Sequence, residues 1–140
     1  MTSGAIFDAM FISSSGMRTQ GTRLRVISEN IANAGTTGNA PGADPYTRQT
    51  ITFKNEMDRE MGIRRVQVDE IGEDTKSDFV LKFEPDHPAA DEGGYVKYPN
   101  VSTLIEVMDS REAQRSYEAN LGMIEQARTM ALRTIDMLRG

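Results

Sequence analysis

All five prolines of this 140-residue chain (Pro41, Pro45, Pro85, Pro88 and Pro99) lie between residues 34 and 100, and so do all four lysines (Lys54, Lys76, Lys82 and Lys97). Proline interrupts helices, because its ring removes an amide donor and collides with the preceding turn. Its confinement to the middle leaves two end segments able to form long helices and one segment between them that cannot. Charge divides at the same points. The middle holds 8 Lys+Arg against 13 Asp+Glu, whereas the two ends together hold 8 arginines and 8 acids. The whole formal charge of −5 therefore belongs to the middle, as expected of a solvated, loop-rich insert. Three segments follow: an N-terminal helix over 1–34, a loop and small β insert over 35–100, and a long C-terminal helix over 101–140.

The ends carry helical periodicity. Met10, Met17, Leu24 and Ile31 recur every seven residues, and Ile6, Ser13, Gln20, Ile27 and Ala34 fill the alternate heptad position. The spacing predicts a helix from about Ala5 to Asn33, stopped by Gly35 as a left-handed C-terminal cap. After Pro99, the residues Asn100, Ser102 and Thr103 compete as N-cap, and Thr103 with Glu106 fits a capping box. Val107, Gln114, Leu121, Arg128 and Ile135 form one heptad series, with Ser110, Tyr117, Ile124, Ala131 and Leu138 as its partner. Beside it run Ala113, Asn120, Ala127 and Thr134, alternating with Met123, Met130 and Met137. On a helical wheel these merge into an arc of nearly half the circumference. A surface helix needs a stripe only a little over ~100° wide, so this face expects more than one neighbouring helix.

Length sharpens the point. A helix over 101–138 would be ~57 Å long, against roughly 37 Å for the diameter of a compact globule of this size. The predicted fold is α+β and mostly α: an elongated antiparallel, coiled-coil-like pair of N- and C-terminal helices with a small β and loop insert. The seams are imperfect. Ser13, Gln20, Gln114 and Arg128 occupy positions where a strong coiled coil has Leu or Ile, and Gly16, Gly21 and Gly122 each cost about 1 kcal/mol relative to Ala. An ordinary weak helical hairpin is one reading. The other is a pair of helices that become fully ordered on joining an assembly.

The middle begins with a turn-rich loop over 34–45. Tyr46 to Phe53 has strand-like content, Val66 and Val68 mark a second strand, Phe79, Leu81 and Phe83 alternate as a third, and Tyr95 to Tyr98 offers a short fourth. Residues 55–78 otherwise carry no motif.

Composition excludes several chemistries. Cysteine is absent, which removes disulfides, thiolate metal sites and a cysteine nucleophile. The acidic balance argues against a nucleic-acid binder, which needs a basic surface. The longest early apolar stretch, Ala9 to Ile12, is too short for a membrane span or a signal-peptide core, so no membrane insertion and no cleaved signal is expected. His87 is the single histidine and sits in a Glu-Pro-Asp-His-Pro turn. The acidic pairs Asp69-Glu70, Glu73-Asp74 and Asp91-Glu92 read as solvated charge. Gly35-Thr36-Thr37-Gly38 lacks the lysine of a phosphate loop. No catalytic residue, metal site or cofactor is expected. The nine methionines suit either a helix core or an adaptable binding surface.

Four stretches together carry a family resemblance: Ser15-Gly16-Met17 through Gln20, Arg23-Leu24 and Val26 to Glu29-Asn30-Ile31-Ala32-Asn33-Ala34 and Thr36-Thr37; Pro45-Tyr46-Thr47-Arg48; Gly94-Tyr95-Val96-Lys97-Tyr98-Pro99-Asn100-Val101; and Ala113-Gln114-Arg115-Ser116-Tyr117-Glu118-Ala119-Asn120, with Met130 further on. In this order and spacing the chain resembles the axial proteins of the bacterial flagellum, and is similar to their C-type proximal rod members.

The resemblance implies a structural, non-enzymatic role: copies stacked by their terminal helices into a hollow, torque-transmitting shaft in the basal body, within the periplasm, after passage through the flagellar type III export apparatus. It implies as partners other proximal and distal rod proteins, the membrane-embedded MS ring protein and its rod-junction subunit. The expected assembly interface is then Met10, Met17, Leu24, Ile27, Ile31, Asn33 and Tyr46 from the first part of the chain. From the last part it comprises Val107, Gln114, Tyr117, Asn120, Leu121, Met123, Ile124, Met130, Ile135, Met137 and Leu138. The competing function is a soluble helical-hairpin adaptor, such as an export chaperone or a membrane-surface binder. A membrane binder would want cations flanking its apolar face, and the ends are neutral and lysine-free.

Overall fold

The computed structural model describes residues 3–140. Two helices bracket four strands: α1 (Ser3–Ala32), β1 (Gln49–Asp58), β2 (Ile63–Glu73), β3 (Val80–Phe83), β4 (Tyr95–Tyr98) and α2 (Thr103–Arg139). The architecture is mostly helical with two small sheets, as the segregation of proline and heptad patterns predicts.

The helix ends differ in detail from expectation. Gly35 is not in the left-handed region, where the described glycines are Gly42, Gly62 and Gly94. Instead α1 is closed by Asn33, whose backbone and side-chain amides both donate to the Glu29 carbonyl, at 3.0 and 2.9 Å. Thr36 then donates its hydroxyl to Asn33 Oδ1 at 3.1 Å. The capping box at the start of α2 is not made either. The Glu106 amide bonds to the Ser102 carbonyl at 3.0 Å, while its carboxylate turns inward to other partners. At 37 residues, α2 is about 55 Å long, and Arg139 in its last turn complements the helix dipole.

β1 and β2 form one two-stranded sheet. Both strands run further than the alternation of apolar residues indicates, and β1 begins three residues later than expected. Pro45 has no amide to give a ladder, and the Tyr46 amide bonds to Thr36 in the loop at 3.1 Å. Residues 55–62 are exposed apart from Asp58, so their strand geometry left no apolar alternation to read. The turn is built by Asp58, whose Oδ1 accepts the amides of Glu60 and Met61 at 3.1 and 3.2 Å in an Asx-type arrangement. β3 and β4 pair antiparallel, Val80 opposite Tyr98 and Phe83 opposite Tyr95. Gly94 closes their connection at φ +82°, where a β-carbon would lie 2.9 Å from the Phe83 ring.

The chain divides into two compact units. The first comprises α1 up to Leu24, residues Thr52–Glu70 and α2 from Arg111 onward. Its buried residues are Ile6, Ser13, Gly16 and Thr19 from α1 and Ala113 and Ala127 from α2. Within it the helices run antiparallel: Ile6 shares a groove with Ala127, Gly16 lies against Asn120, and Arg23 meets Glu112 at 3.5 Å. As one index rises the other falls. The second unit comprises Arg25–Ile51 and Ile71–Ser110. Val26, Ile27, Ala89, Val96, Pro99, Asn30, Asn100 and Glu106 form its core.

Candidate assembly surfaces

The buried line on each helix is not the most apolar one. On α1 it passes through Ile6 and Ser13, and the Met10–Met17–Leu24–Ile31 series lies beside it, half-buried. On α2 the buried residues Ala113 and Ala127 are small, and Asn120 between them is half-buried. Small residues allow close approach of the backbones. A β-carbon on Gly16 would fall 2.7 Å from Asn120 Nδ2, so Gly16 and Asn120 fit as a pair. Asn120 Nδ2 also donates to the Ser116 carbonyl at 2.9 Å.

Because small residues occupy the seam, the large apolar residues of α2 are left outside. In the first unit Tyr117, Leu121, Met123 and Ile135 are exposed, Met137 is 82% exposed and Leu138 84%. Gln114 is exposed, and Ile124 and Met130 are half-buried. Burial of one such apolar side chain is worth about 1.5–3 kcal/mol, so this face stores a large unused driving force. Heptad counting passed over exposed Leu132 on the same helix, and Phe7 and Ile12 on α1.

In the second unit the expected residues are held by their own chain. Ile27 is in the core. Ile31 and Val107 are half-buried, and Asn33 is occupied with capping α1. Tyr46 donates its hydroxyl to Asn30 Oδ1 at 2.8 Å. Leu104, Ile105 and Met108 are exposed near the start of α2. The chosen heptad register selected Val107 and omitted these three, although Leu104 and Met108 are spaced one helical turn apart.

The organising feature of this unit is a polar cluster. Glu106 is 1% exposed. Its Oε1 accepts from Arg48 Nε at 2.5 Å and its Oε2 from Asn30 Nδ2 at 3.4 Å. Asn30 also donates to the Gln49 carbonyl at 2.9 Å and accepts the Gln49 amide at 2.8 Å. Asn100 accepts the Arg48 amide at 2.8 Å and donates to the carbonyls of Asp74 and Ser77. Asn30, Arg48, Asn100 and Glu106 thus tie helix ends to strand ends. Three of the four lie inside the motifs quoted above, and spacing alone does not reveal that they converge.

Electrostatics follow this geometry. Burial pushes the Tyr46 phenol above its ordinary pKa, helped by the negative charges of Glu29, Glu106 and Glu73. The Tyr98 phenol is raised chiefly by its hydrogen bond to Glu84, 2.8 Å away. Hydrogen bonds from Ser77, then from the Lys76 amide, hold the Asp74 carboxyl below its usual range, with Arg48 adding to the effect. His87 serves a turn: its Nδ1 accepts the Ala89 amide at 3.0 Å. Among the described residues no cluster of His, Cys, Asp or Glu could hold a metal ion, and no helix is long and apolar enough to cross a membrane.

Two family models and several curated proteins match this chain. Residues 10–38 match the family model "Flagella basal body rod protein", and residues 92–137 match "Flagellar basal body rod FlgEFG protein C-terminal". Among curated proteins, the flagellar basal-body rod protein FlgC of Agrobacterium fabrum is 54% identical over 91% of both chains. FlgC of Borreliella burgdorferi is 34% identical over 96% of this chain and 99% of its own. FlgC of Salmonella typhimurium is 31% identical over 95% and 98%.

Proposed function

The chain belongs to the FlgC family of flagellar basal-body rod proteins and is a structural subunit of that rod, not an enzyme; we propose that it assembles by covering the exposed apolar face of α2 with the helices of neighbouring subunits. The observation that carries this is the inversion on α2. Ala113 and Ala127 are buried, while Leu121, Met123, Ile135, Met137 and Leu138 face outward. A helix that spends its small residues on its own chain keeps its large ones for other chains. Coiled-coil-like packing along α1 and α2 would complete the core, and interlocked helices would spread torque over many side chains. Met10, Met17, Leu24, Tyr117, Ile124 and Met130 lie on this proposed interface.

As a rod subunit the chain works with other basal-body components. The partners we infer are the other proximal and distal rod proteins, the MS ring protein with its rod-junction subunit, and the type III export apparatus that would deliver the chain to the periplasmic part of the basal body. The adaptor or chaperone alternative is not favoured, because the curated relatives are rod proteins along nearly their whole lengths.

Deletion of the gene tests the reading. Cells should lose motility, and purified basal bodies should lack a completed rod. Motile cells with complete rods would contradict it.

A further inference from the structure

In the first unit, α1 and β2 flank an open-sided pocket of about 320 Å³ lined by Ser15, Arg18, Thr19, Thr22 and Arg65, with Val66, Gln67 and Val68 on the strand side. Its charge is unbalanced. Arg65 Nε is buried with no hydrogen-bond partner among the described residues. Its Nη1 lies 4.0 Å from Asp58, the outer limit of an ion pair, and its guanidinium rests 5.7 Å above the Phe11 ring. Arg18 is exposed and makes no ion pair among the described residues. The three hydroxyls do not supply donors. Ser15, Thr19 and Thr22 give their hydrogens to the carbonyls of Ile12, Gly16 and Arg18 at 2.7, 2.8 and 3.1 Å. The donors left to the pocket are the two guanidinium groups and the side-chain amide of Gln67, and of these only the guanidinium groups carry charge.

Buried polar groups in native proteins are hydrogen-bonded, and a lone orphan calls for an explanation. A guanidinium edge presents parallel donors that match the two oxygens of a carboxylate. We propose that this pocket is a docking socket for an acidic side chain of an abutting rod subunit, with Arg18 and Arg65 closing on its carboxylate. The inference rests on the rod reading above. A neighbouring copy of this chain would bring carboxylates to spare, with 21 acids against 16 Lys+Arg.

The test uses the full chain, expressed in cells lacking its gene, with Arg18→Gln, Arg65→Gln and Arg65→Lys variants. Basal bodies are purified, washed at low and at high salt, and the retained chain is quantified. Retention of Arg18→Gln and Arg65→Gln should fall by about fivefold or more, most visibly where the parent's remaining contacts are weakened by salt. Arg65→Lys, which keeps the charge and loses the fork, should fall between them and the parent. The Arg18 side chain has no ion pair or hydrogen bond among the described residues, so Arg18→Gln should melt like the parent and decides the matter if Arg65→Gln impairs folding. Retention of Arg18→Gln and Arg65→Gln at the parent level overturns the socket. A melting temperature of the isolated chain that rises with inorganic phosphate, and does not rise in Arg65→Gln, would make this a small-anion site and also overturn it. Absence of the parent itself from basal bodies would contradict the rod reading instead.

Discussion

Arg48 Nε donates to Glu106 Oε1 at 2.5 Å, and the Glu106 carboxylate is sealed from solvent. The pair joins the start of α2 to the start of β1, and Asn30 brings in the end of α1. A charge removed from water is tolerable only when paired and hydrogen-bonded. Replacing Arg48 with Ala strands the carboxylate, so we expect a loss of about 3–5 kcal/mol in urea unfolding. Arg48→Ala combined with Glu106→Gln should lose less than Arg48→Ala alone, because no buried charge remains. Equal losses would show that the charge is not what matters.

Glycines 16 and 21 are predicted to behave oppositely. Nothing lies within 4 Å of a β-carbon at Gly21, whereas one at Gly16 would meet Asn120 at 2.7 Å. Gly21→Ala should stabilise by about 0.5–1 kcal/mol through backbone entropy. Gly16→Ala should destabilise, and adding Asn120→Ala should recover the stability. Thermal melting of Gly16→Ala, Asn120→Ala, the double variant and the parent closes the cycle.

Proton linkage gives two expectations of opposite sign. Asp74 has its pKa lowered in the fold. Its contribution is therefore present above its unfolded value near 3.8 and is lost as the pH falls through the folded value. Asp74→Asn should flatten the acid limb of the stability profile. Tyr46 has its pKa raised, so its contribution is present below its unfolded value of 10.0 and is lost as the pH rises through the folded value. Ultraviolet titration should show delayed ionisation of Tyr46 and Tyr98, and Tyr46→Phe should remove part of the delayed component. A delayed component that Tyr46→Phe leaves unchanged would contradict this.

Heptad spacing, within the two segments that proline leaves free, located both helices to within two residues of their ends, because a long helix shows its period over many turns. The seam was less legible. Heptad counting weights large apolar residues, whereas the structure buries Ile6, Ser13, Ala113 and Ala127 and leaves Met123 and Met137 exposed. A sequence pattern reports that a face is apolar, not whether its own chain or another one covers it. The sequence marked both strands of the β1–β2 hairpin but not their full length, because exposed strand such as residues 54–57 needs no alternation. The convergence of Asn30, Arg48, Asn100 and Glu106 depends on contacts across 76 positions of sequence, which no local spacing encodes.

The exposed α2 face is tested most directly by methionine oxidation. Exposed thioethers oxidise to sulfoxides far more readily than buried ones. Met137 is 82% and Met123 51% exposed in the single chain. Peroxide treatment followed by mass spectrometry should therefore find both oxidised rapidly in the isolated chain and strongly protected in purified basal bodies. Equal oxidation of Met123 and Met137 in the two preparations would contradict burial of this face in the rod.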